Sequence, residues 1–234
     1  DANYATTVTN SLALKAPLAN PSFTGNITLP STGRIIINST SPNIIIHGST
    51  GTAANITGGY NNIFGREAGY SITSGACNNI MGYEAGYTLS TGGYNNIFGR
   101  LAGYSLTTGN YNNIMGAEAG KELTTGHHNN IMGYRAAYAA VMTGNGYNNI
   151  FGAEAGYNIT SGSNNNILGY QAGYTMSTGL YNNIMGTEAG RALTTGSYNN
   201  IFGRQAGKKL TTGNHNNIMG YIAAADGIIT GYNN

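Results

Sequence analysis

Charge is the scarcest property of this chain. Only 8% of its residues are charged, against about a quarter in typical soluble proteins, and the formal net charge is +2. A net charge so close to zero provides no row of basic residues that could bind phosphates, so nucleic acid is not expected as a partner. No apolar run approaches the roughly 20 residues that a membrane span requires, so no membrane span is predicted.

Residues that carry catalytic or metal-binding chemistry are also few. The single cysteine, Cys77, cannot form an internal disulfide. Aspartate occurs only at Asp1 and Asp226, which excludes calcium-binding repeats of the Gly-Gly-x-Gly-x-Asp kind. The histidines are dispersed along the units, and no serine or threonine lies in a nucleophile elbow. We therefore predict a protein that is not an enzyme and that holds no metal or other cofactor.

What the sequence does contain is a repeat. The dipeptide Asn-Asn recurs from Asn61 to Asn234 at intervals of 17 residues, apart from one interval of 19. The unit reads Asn-Asn-Ile-(Phe/Met)-Gly-x-(Glu/Gln)-Ala-Gly-(Tyr/Lys)-x-(Leu/Ile)-Thr-Thr-Gly-x-(Tyr/His). A fixed period of this length is typical of a solenoid, in which each unit buries its apolar side against its neighbours. The sequence thus predicts a β-rich repeat solenoid of about ten 17-residue coils.

The repeat also sets the expected domain organisation. Residues 59–234 form the repeat solenoid, in two five-unit blocks at 61–147 and 148–234. Residues 1–58 lack the period; their prolines and isoleucine runs predict an extended connector or β-rich stalk. The chain ends at the opening of another unit, so we expect it to be a fragment of a longer polypeptide, or the ordered part of one.

The segment Asn-Asn-Ile-Phe-Gly favours a strand. Neighbouring strand residues point to opposite faces, so Ile63 and Phe64 must face opposite ways, as must their equivalents. A single-chain solenoid has one interior, which leaves the second row as an exposed apolar stripe unless partner chains cover it. We interpret that row as the contact of a homotrimer or other homo-oligomer; the alternative is a corner that turns the residue inward. The predicted interchain contacts are Phe64, Met81, Phe98, Met115, Phe151, Met185 and Phe202.

The paired asparagines predict a ladder. An amide side chain donates and accepts at once, so identical asparagines in successive coils can bond to one another along the stack. Sugar or metal binding by these asparagines is the alternative. The predicted ladder consists of Asn62, Asn79, Asn96, Asn113, Asn130, Asn149, Asn166, Asn183, Asn200 and Asn217.

The second half of the unit predicts tight turns, for which a short helical turn is one hypothesis, since Ala68 and Ile72 are four residues apart. The Glu67 slot also holds leucine, arginine and isoleucine in other units, so we expect it to face solvent.

Tyrosines at two variable slots, such as Tyr83 and Tyr87, are expected either to contact sugars or to stack on one another. Four sequons mark candidate glycan acceptors, which are Asn26, Asn38, Asn55 and Asn158.

Two parts of the chain resemble viral fibre proteins. The segment Leu-Lys-Ala-Pro-Leu-Ala-Asn-Pro-Ser-Phe-Thr-Gly, residues 14–25, resembles connectors in tail fibres of bacteriophages and in fibre proteins of large viruses. The units Asn-Asn-Ile-x-Gly-x-x-Ala-Gly-x-x-Leu-Thr-Thr-Gly look like repeats of the same class, which often precede an endosialidase-type intramolecular chaperone. They are also similar to the heads of trimeric autotransporter adhesins. The resemblance implies a homotrimeric fibre that is extracellular or lies on a virion surface.

Three functional hypotheses follow. The leading one is a non-catalytic, homotrimeric fibre or adhesin, a shaft or head that contacts cell-surface glycans. The second is an extracellular filament subunit that polymerises end to end through its open coils. The third is an ice- or surface-binding solenoid, because Thr-Thr recurs in one slot, as at Thr107 and Thr124.

Overall fold

The computed structural model describes residues 43–46 and 56–226, with the side chains at 143 and 144 set aside. The described residues all belong to one unit of the chain, within residues 39–234. Most of the predicted connector, at 1–42 and 47–55, lies outside the described residues.

The described residues form a parallel β-solenoid, which confirms the predicted repeat fold. Its main sheet has eleven strands stacked almost in chain order, and equivalent residues of successive coils pair directly, as Ile63 does with Ile80. The order is β1-β2-β3-β4-β5-β7-β9-β10-β11-β12-β13, while β6 and β8 pair separately. The strands are β1 Ile44–Ile46, β2 Asn62–Phe64, β3 Asn79–Met81, β4 Asn96–Phe98, β5 Asn113–Met115, β6 Thr125–His127, β7 Asn130–Met132, β8 Thr143–Asn145, β9 Asn149–Phe151, β10 Asn166–Leu168, β11 Asn183–Met185, β12 Asn200–Phe202 and β13 Asn217–Met219.

Three apolar rows fill the interior. Each coil contributes the strand isoleucine, the alanine of Ala-Gly and the apolar residue before Thr-Thr, which in the first coil are Ile63, Ala68 and Ile72. All three rows are almost completely buried. Because every coil repeats the same small set of side chains, each buries its apolar surface against its two neighbours.

The sheet begins before the 17-residue period does. Ile45 of β1 pairs with Ile63, and Asn43 lies next to Asn61, so this short segment adds a rung ahead of the first full unit. Ile44 and Ile46, on either side of Ile45, are exposed. The alternating burial is that of a strand with one inward face.

The second half of each unit consists of successive β-turns, and the described residues contain no helix. The backbone N–H of Ala68 donates to Gly65 O at 3.2 Å, and that of Ile72 to Gly69 O at 3.0 Å. Glu67 has a φ of +58°, as expected for the third residue of a type II turn. The helical-turn hypothesis is therefore wrong: Ala68 and Ile72 share the interior because two turns bring them there.

Close stacking explains the glycine that follows each strand. Gly99 has a φ of +134°, and a Cβ built on it would lie 2.5 Å from Gly116 O in the next coil. That separation is impossible for a real side chain. The coils approach so closely because their backbones hydrogen-bond around the turns as well as along the sheet, for example Gly69 N–H to Ala85 O at 2.9 Å.

The 19-residue unit keeps this plan with an enlarged corner. Ala137 replaces the glycine of Ala-Gly and holds the same left-handed conformation, with a φ of +48°. Met142 of this unit is buried in the row that other units fill with leucine, isoleucine or, at Met176, methionine. The strands β6 and β8 pair with each other, and each follows the buried residue of that row in its own coil.

Candidate interaction surfaces

The first asparagine of each pair forms a buried row that the sequence analysis missed. This inner asparagine row is fully buried. Asn112 donates its backbone N–H and Nδ2 to Asn95 Oδ1, at 3.0 and 3.1 Å, and Nδ2 also donates to Gly126 O at 2.8 Å. The signal was present, since these residues lie two positions before the buried isoleucine, on the same strand face. The row consists of Asn61, Asn78, Asn95, Asn112, Asn129, Asn148, Asn165, Asn182, Asn199 and Asn216.

The second asparagine of each pair forms the outer asparagine row, at the positions predicted for the ladder. Asn62 Nδ2 donates to Asn79 Oδ1 at 2.8 Å, and each of the following rungs repeats this bond at 2.7 to 2.9 Å up to Asn217. The direction is opposite to that of the inner row, where each asparagine donates to the preceding one. The side chains are mostly half-buried.

The outer apolar row lies beside the outer asparagine row, on the same face of the sheet. All seven predicted contact residues lie in this row, half-buried or exposed; Met81 exposes 45% of its surface and Met185 36%. None turns inward at a corner, because the strand alternation holds through each rung. The row consists of Phe64, Met81, Phe98, Met115, Met132, Phe151, Leu168, Met185, Phe202 and Met219.

Tyrosines stack from coil to coil in two ring rows. Tyr70, Tyr87 and Tyr104 are nearly parallel, with centroids 4.8 and 5.0 Å apart. In the second row, Tyr94 and Tyr111 are 4.9 Å apart, and His128 continues the stack. Burial raises the pKa of Tyr87, and its neighbouring tyrosines add to the effect. Stacking covers the ring faces, so these rows present ring edges and hydroxyl groups to a ligand.

The corner slot after the strand glycine carries tyrosines outside these stacks. Tyr83, Tyr134, Tyr170 and Tyr221 are all exposed there, Tyr170 by 51%. The guanidinium of Arg66 lies 5.5 Å from the ring centroid of Tyr83, in cation–π contact. A hydrogen bond with Glu84 is the main cause that raises the pKa of Tyr83.

The slot expected to face solvent instead contains a buried carboxylate. Glu118 exposes 6% of its surface, so the expectation is wrong at this position. Arg135 Nε donates to Glu118 Oε2 at 2.7 Å, and Arg100 bonds to the other oxygen. The hydrogen bond from Arg135 is the main cause that holds the pKa of Glu118 below its ordinary value, against the opposing effect of burial. The arginine 17 residues after Glu118 could have indicated this pairing.

Some hydroxyl groups of the Thr-Thr slot already donate hydrogen bonds to the next coil. Thr107 Oγ1 donates to Thr124 O at 3.1 Å, whereas the next residue, Thr108, is exposed. In this pair only one hydroxyl is thus available to a flat ligand. Of the candidate glycan acceptors, Asn158 is half-buried in a turn, and Asn26, Asn38 and Asn55 lie outside the described residues.

The described residues include no group of three or more His, Cys, Asp or Glu side chains that could hold a metal ion. This part of the chain also contains no helix with the length and hydrophobicity of a membrane span. Comparison with protein-family models, curated proteins and solved structures found no match for the chain.

Proposed function

We propose that the solenoid is a non-catalytic structural segment of a fibre, extracellular or on a virion surface, in which three copies associate laterally through their outer sheet faces. The observation that carries the proposal is the outer apolar row. It places phenylalanine, methionine or leucine on the outside of every full coil, in line and without a charged residue among them. Continuous apolar surfaces of this kind are typical of protein contacts.

The size of the face is consistent with this role. Eleven strands of three residues each give a face of about 50 Å by 10 Å, at roughly 4.8 Å between strands and 3.3 Å per residue. Pairing two such faces buries on the order of 1,000 Å² in total, the lower limit of a specific interface. The contact therefore depends on many rungs together. Three copies are proposed because of the resemblance to trimeric fibres.

Replacing Phe98 and Phe202 with serine tests the lateral contact. We expect the variant to lose its trimer in sedimentation velocity experiments while its circular dichroism is unchanged, because both side chains lie outside the coil. Tyr94→Ser with Tyr198→Ser is the matched control, since these rings are exposed in the same coils but away from the sheet face. A wild-type chain that is monomeric at all concentrations, or a trimer insensitive to the phenylalanine changes, would contradict the proposal.

Attachment to cell-surface glycans is proposed as an additional role of the corner slot. Its tyrosines expose ring surface that no neighbouring tyrosine covers, and an aromatic face with a nearby hydroxyl suits a sugar ring. Replacing Tyr83, Tyr134 and Tyr170 with serine should reduce binding to cells, with assembly intact. The same change at the stacked Tyr87 and Tyr104 should not. Equal binding by both variants would remove the glycan contact from this slot.

A further inference from the structure

One arginine of the corner slot has no carboxylate partner. Every other lysine and arginine of the described residues lies within 4.0 Å of a glutamate or aspartate, as Arg66 does of Glu67 at 3.4 Å. Arg204 is exposed, and its guanidinium instead donates to the hydroxyl of Tyr221 at 3.3 Å. Because Tyr221 is neutral at ordinary pH, the charge of Arg204 stays available to a ligand.

The carboxylate of the preceding coil is already bound by other groups. Glu188 accepts from Lys208 Nζ at 2.8 Å and from Gln205 Nε2 at 2.7 Å. The same carboxylate lies 3.8 Å from the guanidinium of Arg191. Glu188 therefore serves three neighbours in the stack, and Arg204 is not among them.

Positive charge is concentrated in the coils around Arg204. Residues 187–226 contain four basic and two acidic side chains, whereas residues 56–186 contain four basic and five acidic ones. An excess of one sign of charge attracts ligands of the opposite sign. An anionic ligand is therefore favoured on the last coils of the described solenoid and not on the earlier ones.

The two slots before Arg204 place further unused groups beside it. The coils stack in register here, since Tyr170 O accepts from the Glu188 N–H and Thr187 O from the Gln205 N–H, each at 2.8 Å. Tyr170 is 51% exposed, and within the described residues its ring joins no stack or cation–π contact and its hydroxyl makes no hydrogen bond. The exposed hydroxyl of Thr187 likewise makes none there. We call Tyr170, Thr187 and Arg204 the corner patch.

We propose that the corner patch binds a carboxylated sugar, a uronic or sialic acid residue of a glycan. A guanidinium binds a carboxylate through two parallel N–H donors. The ring of Tyr170 suits the apolar face of a sugar, and the hydroxyl of Thr187 suits a sugar hydroxyl. Stacked coils are about 4.8 Å apart, so the three groups span about 10 Å, enough for a short oligosaccharide. This inference rests on the proposed glycan contact of the corner slot and names its ligand.

In the first five-unit block, the corner slot does not offer the same groups. Tyr83 is in contact with the guanidinium of Arg66 at 5.5 Å, and Arg66 is itself paired with Glu67. The residue at the same place as Arg204 in that block is Ala117. We therefore expect one such site in each chain, in the second block.

Isothermal titration calorimetry with matched ligands tests the proposal. The acidic probes are oligogalacturonate and sialyllactose, and their neutral counterparts are the methyl-esterified oligosaccharide and lactose. We expect an acidic probe to bind at least about tenfold more tightly than its neutral counterpart, because only the acid forms a charge-assisted pair with Arg204. The acid that binds identifies the sugar. If neither acid binds more tightly than its counterpart, or if the sulfated glycan heparin binds more tightly than both acids, the proposal is wrong.

Replacing Arg204 tests the assignment of the carboxylate contact. Arg204→Gln should abolish the preference for the acid with unchanged circular dichroism, since the side chain is exposed. Arg204→Lys should restore only part of it, because an ammonium group lacks the two parallel donors. Arg66→Gln is the matched control in the same slot, and it should keep the preference. An equal loss in Arg66→Gln and Arg204→Gln would show a general effect of charge and overturn the site.

Cell-binding measurements distinguish failure of this inference from failure of the proposed glycan contact. Tyr170→Ser and Arg204→Gln should each reduce attachment of the full chain to cells. If attachment depends on Tyr83 and Tyr134 but is unchanged in both of those variants, the glycan contact holds and the corner patch is wrong. If attachment depends on none of these residues, both proposals are wrong.

Discussion

The two asparagines of each pair differ in burial, and this difference sets how much each contributes to stability. Asn112 of the inner row makes hydrogen bonds to Asn95, Gly126 and Asn129 in a fully buried position. Asn113 of the outer row bonds to its neighbours along a half-buried face, where water can replace a lost partner. Losing a buried partner costs the full desolvation of the groups left behind.

Replacing each asparagine with alanine should therefore give unequal effects. Asn112→Ala leaves Gly126 O and the N–H groups of Asn129 unpaired, and we expect a loss of about 3–5 kcal/mol in the free energy of unfolding. Asn113→Ala should cost about 1 kcal/mol. Urea denaturation followed by circular dichroism measures both. Similar losses for the two variants would show that the inner row has no special role.

Among secondary-structure elements, the turns hold the charged groups that join one coil to the next. Glu118 bonds to Arg100 in the coil before it and to Arg135 in the coil after it. Glu188 makes a similar bond to the following coil, with Lys208 at 2.8 Å, and this hydrogen bond is the main cause that lowers the pKa of Glu188. Such pairs hold adjacent turns in one register, because a shifted coil would separate the charges.

The lowered pKa of Glu118 predicts a pH-dependent stability. A carboxyl whose pKa is lower in the folded state stabilises the fold fully above its unfolded pKa, near 4.5 for glutamate. That contribution is lost as the pH falls through the folded-state pKa. Glu118→Gln should cost about 1–2 kcal/mol at neutral pH, since the arginines it pairs with are partly exposed. The cost should shrink as the pH falls below 4.5.

Thermal unfolding of the wild-type protein and of Glu118→Gln, followed from about pH 3 to about pH 7, would measure how this cost changes with pH. Glu122→Gln is the control in the same coil, because Glu122 is 46% exposed and lies 4.0 Å from Lys121. We expect little change for it. A Glu118→Gln cost that stays constant across the pH range would contradict the assignment.

For the molecule as a whole, the periodicity predicted the coil number, the parallel stack and the burial of the isoleucine row. It predicted less about the turns, because Glu67, Leu101 and Arg135 all adopt positive φ although none of these residue types favours it. The residue types at these positions therefore give no indication of a left-handed backbone conformation. The burial of Glu118 was missed for another reason: each slot was judged by its composition, without its partner one coil away.

The equivalence of the coils gives a further prediction about the length of the chain. In a solenoid each unit contacts only its neighbours, so stability is close to a sum over units and their interfaces. Deleting residues 79–95 removes 17 residues and joins Asn78 to Asn96, which restores the Asn-Asn-Ile strand and every row. We expect this variant to fold, with a lower free energy of unfolding and one rung fewer.

Deleting residues 79–94 is the matched control, one residue shorter. It leaves an extra asparagine in the strand, and a slip of one residue turns the side chains that follow to the opposite face. Ile97 would then point outward unless the chain forms a bulge, and the inner asparagine row would be broken at Asn78. We expect a much larger loss of stability and of amide protection in this variant, measured by hydrogen exchange. If both deletions cost the same, hydrophobic content alone would hold the coils together, and the register of the two asparagine rows would be incidental to the fold.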